Sequence, residues 1–181
     1  MFAVLTAFLL LTLSHARFHA EPLHSTLWNI QQTTVDSTTP LKFTIILKDN
    51  AVGISKLKQI ALDVSDPTSP SYGKHLSIAE INALTAPPIK NINTITTWLK
   101  RNNIEDINVQ NSGTTRINFQ AKSNVAAKLF STTFSNLIHP DYTDSITRAG
   151  SYEIPEDIES ITQSFFGLHG FRTKSLKLTS G

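Results

Sequence analysis

Cysteine is missing altogether from these 181 residues. Its absence excludes a disulfide framework and thiolate zinc sites, and leaves the redox compartment open. Charge is scarce and nearly balanced: charged residues make up 17% of the chain and the formal net charge is +2. So small an excess excludes the basic footprint that a nucleic-acid or anionic-membrane partner requires. No Asn-x-Ser/Thr sequon occurs, so the usual N-glycan acceptor is lacking. Long apolar runs are missing too, apart from Phe2 to Leu13. What remains is a chain of 40% hydrophobic residues, enough for one domain of ordinary size after a presequence.

The N-terminal run is too short to span a bilayer. It reads as a secretory signal, with the small residues Ser14 and Ala16 placed for a cut after Ala16. The usual Lys or Arg ahead of the apolar stretch is absent. The expected division is a signal peptide over 1–16, a loosely held polar arm over 17–40 docked by Trp28, a folded domain over 41–171, and a basic tail over 172–181. The expected destination is the secretory pathway, ending outside the cell or in an acidic, lysosome-like compartment, without stable membrane insertion.

Leu41 to Leu47 carries apolar residues on both faces, as a central strand does. Ile54, Leu57, Ile60, Ala61 and Val64 fall at helical spacing. A short helix after Ser77 presents Ile78, Ile81 and Leu84 and stops at Pro87-Pro88, and Ile89, Ile92, Ile95, Trp98 and Leu99 mark another. Ile107 and Val109, then Ile117, Phe119 and Ala121, alternate with polar residues around an Asn111-Ser112-Gly113-Thr114 turn. Ser123 is placed to cap a helix bearing Val125, Ala126, Leu129 and Phe130. Phe134 to Ile138 reads as the final strand, and Pro155 with Glu156 and Asp157 opens a last turn or helix. The order predicts an α+β class: a ferredoxin-like split β-α-β sandwich, with an antiparallel sheet, helices on one face and a helical insertion after the first helix.

The most specific stretch runs from Asp66 to Ile81, Asp-Pro-Thr-Ser-Pro-Ser-Tyr-Gly-Lys-His-Leu-Ser-Ile-Ala-Glu-Ile. Its two prolines favour extended geometry before them, Gly73 allows a positive φ, and Ser77 with Glu80 forms the signature of a capping box. The run resembles the signature of the activation domain of the sedolisins, the serine-carboxyl peptidases that include kumamolisin and the lysosomal tripeptidyl peptidases. Weaker resemblance extends over roughly Leu27 to Phe171, where Tyr152-Glu153-Ile154-Pro155 and Gly167-Leu168 look like the close of the same prodomain.

This resemblance implies the same ferredoxin-like fold and a secreted propeptide of a serine-type peptidase zymogen, controlling proteolysis. It would template the folding of the peptidase and block its cleft until acid, docking an apolar face of its sheet on a sedolisin catalytic domain, in cis or in trans. Asp66, Pro67, Ser69, Pro70, Tyr72, Gly73, Lys74, His75, Leu76 and Ser77 are then either peptidase interface or turn architecture. Ala16 marks one processing point, and the basic stretch with Arg172, Lys174 and Lys177 another.

No catalytic residue is expected. The family's catalytic domain needs a helix-borne Glu and Asp, a Ser in a Ser-Gly-Thr-Ser motif, an oxyanion Asp and a calcium site, and it would begin about where this chain stops. Ser112-Gly113-Thr114-Thr115 imitates the nucleophile motif, but it sits between two alternating strands with no base at a useful spacing. Asp141, Asp144, Glu153, Glu156 and Asp157 lack the spacing of a calcium loop and read as solvated surface. His15, His19, His24, His75, His139 and His169 are scattered, and no metal or other cofactor is expected. Two roles stay open for His75: a switch that gains charge between about pH 7 and about pH 5 at an interface, or a ring packed on Tyr72 that locks the turn. Lys74 either pairs with a peptidase carboxylate or stays solvated.

The rivals are a free-standing inhibitor acting in trans, an RNA-binding ferredoxin-like module, and an independent enzyme. RNA binding would need stacking aromatics and basic residues on the central strands, where Asn108, Gln110 and Asn118 stand instead. An enzyme would need an acid, base and nucleophile constellation that is not found.

Overall fold

Apolar and polar residues alternate most regularly over Thr114–Lys122, and there the longest strand forms. In the computed structural model, which describes residues 16–20, 28–141 and 144–170, fourteen elements follow one another. They are β1 (Ala16–Ala20), β2 (Asn29–Thr34), β3 (Pro40–Leu47), α1 (Ala51–Ser65), α2 (Ile78–Thr85), α3 (Ile89–Arg101), β4 (Ile107–Ser112), β5 (Thr114–Lys122), α4 (Ser123–Leu129), β6 (Phe134–Ile138), β7 (Ile146–Ala149), β8 (Ser151–Pro155), α5 (Glu156–Ile161) and β9 (Thr162–Phe166). The strands form three antiparallel sheets: β4-β5-β3-β9, β2-β6-β7 and β1-β8.

The four-stranded sheet organises the molecule. Phe43 lies opposite Phe119 and Ile45 opposite Ile117, and the Phe43 and Phe119 rings stack at 5.1 Å. With a strand period of two, these residues share one face with Leu47 and Ala121. That face is covered by Ile92, Ile95 and Leu99 of α3 and by Ala126, Leu129 and Phe130 of α4 and its cap, all in one buried cluster. Tyr152, Ile154, Ile158 and Leu168 complete the cluster from the C-terminal third. The fold is thus α+β, with antiparallel sheets and helices packed on one face. Gly113, at φ +79°, turns β4 into β5, so Ser112-Gly113-Thr114-Thr115 is a hairpin and not a nucleophile site.

Among the described residues no helix packs on the opposite face of this sheet, which is mostly polar. Thr44 lies between Asn118 and Phe166, and Ile46 between Arg116 and Ser164, while Asn108 and Gln110 lie across from Asn118 and Arg116. The Thr44 hydroxyl donates to Asn118 Oδ1 at 2.7 Å. The apolar face expected to dock on another protein is therefore consumed by the chain's own helices.

Four other expectations are corrected. Residues 17–40 are not merely a loose arm: β1 pairs with β8, β2 pairs with β6, and Trp28 is buried with Leu137 and Ile146. Phe134–Ile138 is a strand, but it joins β2 and β7. The fourth place in the main sheet, beside β3, is taken by β9. Ser123 is the first helical residue of α4 and makes no cap. Its hydroxyl donates instead to the carbonyl of Asp36, pinning the turn before β3. Lastly, α1 contributes nothing to the central cluster. Ile54, Leu57 and Ile60 are only half-buried and Ala61 is exposed, because α1 packs on α2 while α3 takes the place on the sheet.

The α1–α2 pair is a helical hairpin closed tightly at its base. The amide of Asn50 donates to the carbonyl of Thr85 at 2.9 Å. A Cβ on Gly53 would lie 1.8 Å from the carbonyl oxygen of Leu84, so the two backbones touch only because residue 53 is glycine. Asn50 also caps α1, its Oδ1 accepting from the amides of Val52 and Gly53. A helix of 15 residues is about 22 Å long, so the connector between α1 and α2 stands well away from this base.

Candidate functional site

That connector, residues 66–77, holds the whole signature, and most of its side chains are spent on its own shape. The Asp66 carboxylate accepts from the amide and the hydroxyl of Thr68, both at 2.8 Å. These bonds, the amide first, hold the Asp66 carboxyl below the ordinary range for an aspartate. Ser69 Oγ accepts from the amide of Ser71 at 3.1 Å, and the Ser69 carbonyl accepts from the amide of Tyr72 at 3.0 Å. Gly73 adopts φ +72°, and its amide returns to the carbonyl of Val64 at 3.0 Å, folding the connector back onto α1.

Ser77 and Glu80 then close a reciprocal capping box at the start of α2. The Glu80 carboxylate accepts from the amide and hydroxyl of Ser77 at 2.8 Å, and Ser77 Oγ accepts from the amide of Glu80 at 3.3 Å. The amide of Ser77, followed by its hydroxyl, lowers the Glu80 carboxyl in the same way. Leu76 is half-buried, while Pro67 and Pro70 are exposed within the turn.

Tyr72, Lys74 and His75 are different. Tyr72 is 57% exposed, Lys74 and His75 are exposed, and none of the three side chains has a hydrogen bond or ion pair with another described residue. The ring of His75 stands in solvent and is not packed beneath the turn. Leu62 and Ile78 add exposed apolar surface at the two helix ends that flank the connector.

A second concentration of interactions lies where the described chain ends. A groove of about 1010 Å³ runs between β9 and the β1-β8 pair, with Arg17, His19, Tyr152, Glu159, Phe166 and His169 on its walls. Arg17 pairs with Glu159 at 3.1 Å, and His19 Nε2 lies 3.2 Å from the same carboxylate. The Tyr152 ring stacks with both His19, at 5.0 Å, and His169, at 5.9 Å. Arg148, which also lines this groove, and Glu159 belong to no motif in the sequence, and His169 stands there only as one of six scattered histidines, since nothing in their spacing foretells that distant strands bring them together. Tyr152 and Leu168 were visible only as part of the resemblance.

Ala16 is exposed at the start of β1, opposite Pro155, whereas Arg172, Lys174 and Lys177 lie outside the described residues. Among the described residues no three His, Cys, Asp or Glu side chains come together as a metal site, and no helix is long and apolar enough to cross a membrane. The central strands β3 and β5 place Lys42, Thr44, Arg116, Asn118 and Gln120 on this face, and its exposed ring is Phe166 on the edge strand β9, whereas RNA-binding sheets of this kind stack bases on aromatics of the two central strands.

The chain matches the family described as "Pro-kumamolisin, activation domain" over residues 28–171. It is 26% identical over 101 residues to tripeptidyl-peptidase sed1 of Aspergillus fumigatus, covering 55% of this chain and 16% of that protein. It is 24% identical over 129 residues to tripeptidyl-peptidase SED4 of Arthroderma otae, covering 71% of this chain and 21% of that protein. With tripeptidyl-peptidase 1 of Rattus norvegicus the identity is 34% over 65 residues, 36% of this chain and 11% of that protein. The chain thus spans about a fifth or less of the length of these relatives. A match that starts at the buried Trp28 and ends one residue past the described chain takes in the central core, the helical hairpin and its signature connector together, and on that ground the chain belongs to the pro-kumamolisin activation domain family, the non-catalytic activation region of sedolisin-type peptidase precursors.

Proposed function

We propose that this domain acts as the folding template and acid-released inhibitor of a sedolisin-type serine peptidase, carried in the same precursor or acting in trans. The observation that carries the reading is the activation-domain match over residues 28–171. The partner is a sedolisin-type catalytic domain. Two surfaces suit it: the connector tip with Tyr72, Lys74 and His75, and the polar face of the main sheet with Ile46 and Phe166 among its amides. Tyr offers apolar area with a hydroxyl and is favoured at interfaces, and a polar, hydrogen-bonding face suits a complex that must later separate.

The arrangement of β3, α3, β4, β5, α4 and β9, with strand order β4-β5-β3-β9, supports naming the main sheet a ferredoxin-like split β-α-β unit with α1–α2 as its insertion. A signal peptide over 1–16 cut after Ala16, processing in the stretch with Arg172, Lys174 and Lys177, and delivery to an extracellular or acidic compartment belong to the same reading.

The test is binding of the purified chain to a peptidase of the family, by calorimetry and inhibition, at about pH 7 and about pH 4. Histidine gains charge and carboxylates begin to lose it across that interval. Inhibition near neutral pH that weakens about tenfold or more in acid is the expected result. Absence of binding at both pH values would refute the proposal, and a pH dependence unaltered by His75→Ala would remove His75 from the release step.

A further inference from the structure

The three-stranded sheet is held at its two ends by different means. At one end Phe134 of β6 packs against the central cluster, its ring 6.2 Å from that of Phe43. At the other end the β2–β6 register runs out at Asn29 and Ile138. The residues just beyond, Trp28 and His139, meet there with ring centroids 5.0 Å apart. Both are buried, and His139 is the only buried histidine among the described residues. Trp28, Leu137 and Ile146 form a small cluster separate from the central one. A register shift between Gln31 and Thr34 interrupts the ladder between the two ends.

The Nδ1 atom of His139 accepts from the amide of Asp141 at 3.0 Å, an arrangement that needs the neutral ring with its proton on Nε2. A second proton has to enter at Nδ1. It turns the acceptor into a donor aimed at a donor, so the bond to Asp141 is lost and a charge is buried. The neighbouring elements offer little to offset that charge. β2 and β6 carry no charged residue. β7 carries Arg148 alone, and its Nε and Nη1 are bonded to the carbonyls of Gly170 and Thr147. Asp141 and Asp144, between β6 and β7, are exposed, where water weakens their pull.

We infer that His139 is an acid-sensitive lock: a proton on its ring opens this end of the three-stranded sheet, from Trp28 to Gln31 and from Asn136 to His139, while the central cluster stays folded. The closed end needs the neutral ring and the opened end accepts the charged one, so acid shifts the population toward the open form. Below the ordinary histidine value of about 6.5 the opening constant should rise about tenfold per pH unit. Any part of the lock in release from a peptidase rests on the proposed function. The lock itself does not, and its test uses the chain alone, so either can fail without the other.

The test is amide hydrogen exchange of the full chain between about pH 7 and about pH 5, with the intrinsic pH dependence removed. This interval lies above the titration of ordinary carboxylates. The hydrogen-bonded amides of Asn29–Gln31 and Asn136–Ile138 should lose protection about tenfold per unit at its acid end, while those of β3 and β5 keep theirs. The indole NMR signals of Trp28 and Trp98 should show the same contrast, since Trp98 packs on Phe130 in the central cluster. His139→Asn keeps an acceptor near the Nδ1 position and gains no charge, so it should abolish the pH dependence. Should that variant not fold, the ring nitrogen NMR shifts of the unaltered chain near neutral pH decide: the Nε2–H form is expected for His139, and the Nδ1–H form would overturn the lock. Level protection of the two segments across the interval, an equal loss in β3 and β5, or a pH dependence that survives His139→Asn would overturn it as well.

Discussion

Gly53 and Gly73 are both glycines for backbone reasons, yet the reasons differ and so do the expected costs. At Gly73 no atom of the described residues lies within 4 Å of an added Cβ, and the constraint they leave is φ +72°. Gly73→Ala should lower unfolding stability by about 1 to 2 kcal/mol. At Gly53 the dihedral is ordinary, and alanine would gain about 1 kcal/mol of helix propensity. The Leu84 carbonyl at 1.8 Å decides the sign: overpacking against backbone costs about 1 to 3 kcal/mol or more, so Gly53→Ala should be net destabilising by denaturant melts. The carboxylates of the connector give the residue-scale pH dependence. Asp66 and Glu80 are held below the ordinary carboxylate range by their bonds to Thr68 and Ser77. The unfolded chain therefore takes up these protons first. Their stabilisation is complete above the ordinary range and disappears as the pH falls through the lower folded values. Amide exchange at Thr68 and Ser77, followed from about pH 6 to about pH 3 with the intrinsic acid dependence removed, should show protection lost at the low end. Protection that stays level across that interval would refute the assignment.

Among the elements, the helical hairpin and the sheet-packed helix divide the labour. Ile95 of α3 is fully buried in the central cluster, and Ile95→Ala should cost about 2 to 5 kcal/mol. Leu62 and Tyr72 stand exposed on the hairpin, and their alanine variants should change stability by no more than about 0.5 kcal/mol. If the connector tip is part of the peptidase interface, the same two variants should weaken inhibition several-fold with unchanged melting. Loss of stability without loss of binding would assign them to the fold instead. The capping box, the β4-β5 hairpin and the alternation of β5 were legible in the sequence because each is set by neighbours within a few residues. The partner of α1 was not. Ile54, Leu57 and Ile60 lie at helical spacing whether the helix meets a sheet or another helix, and only the close approach at Gly53 tells which.

For the molecule as a whole, the sequence alone determined the class, the core helix α3, the signature connector and the family, because period, caps and turn residues are local and the signature is contiguous. The tertiary structure decided what depends on distant segments. It placed Thr162–Phe166 beside β3 in place of Phe134–Ile138, since a five-residue strand with three polar residues carries little periodic signal and its position is chosen by what precedes it. It turned the polar N-terminal segment into two strands, because edge pairing satisfies backbone groups whatever the side chains are. It also covered the apolar face of the sheet with helices and left the polar one without a described helix, and it brought Arg148, Tyr152 and His169 to the walls of one groove. Which face the helices cover and which side chains share a groove are relations among segments far apart in sequence, and packing, not pattern, sets them.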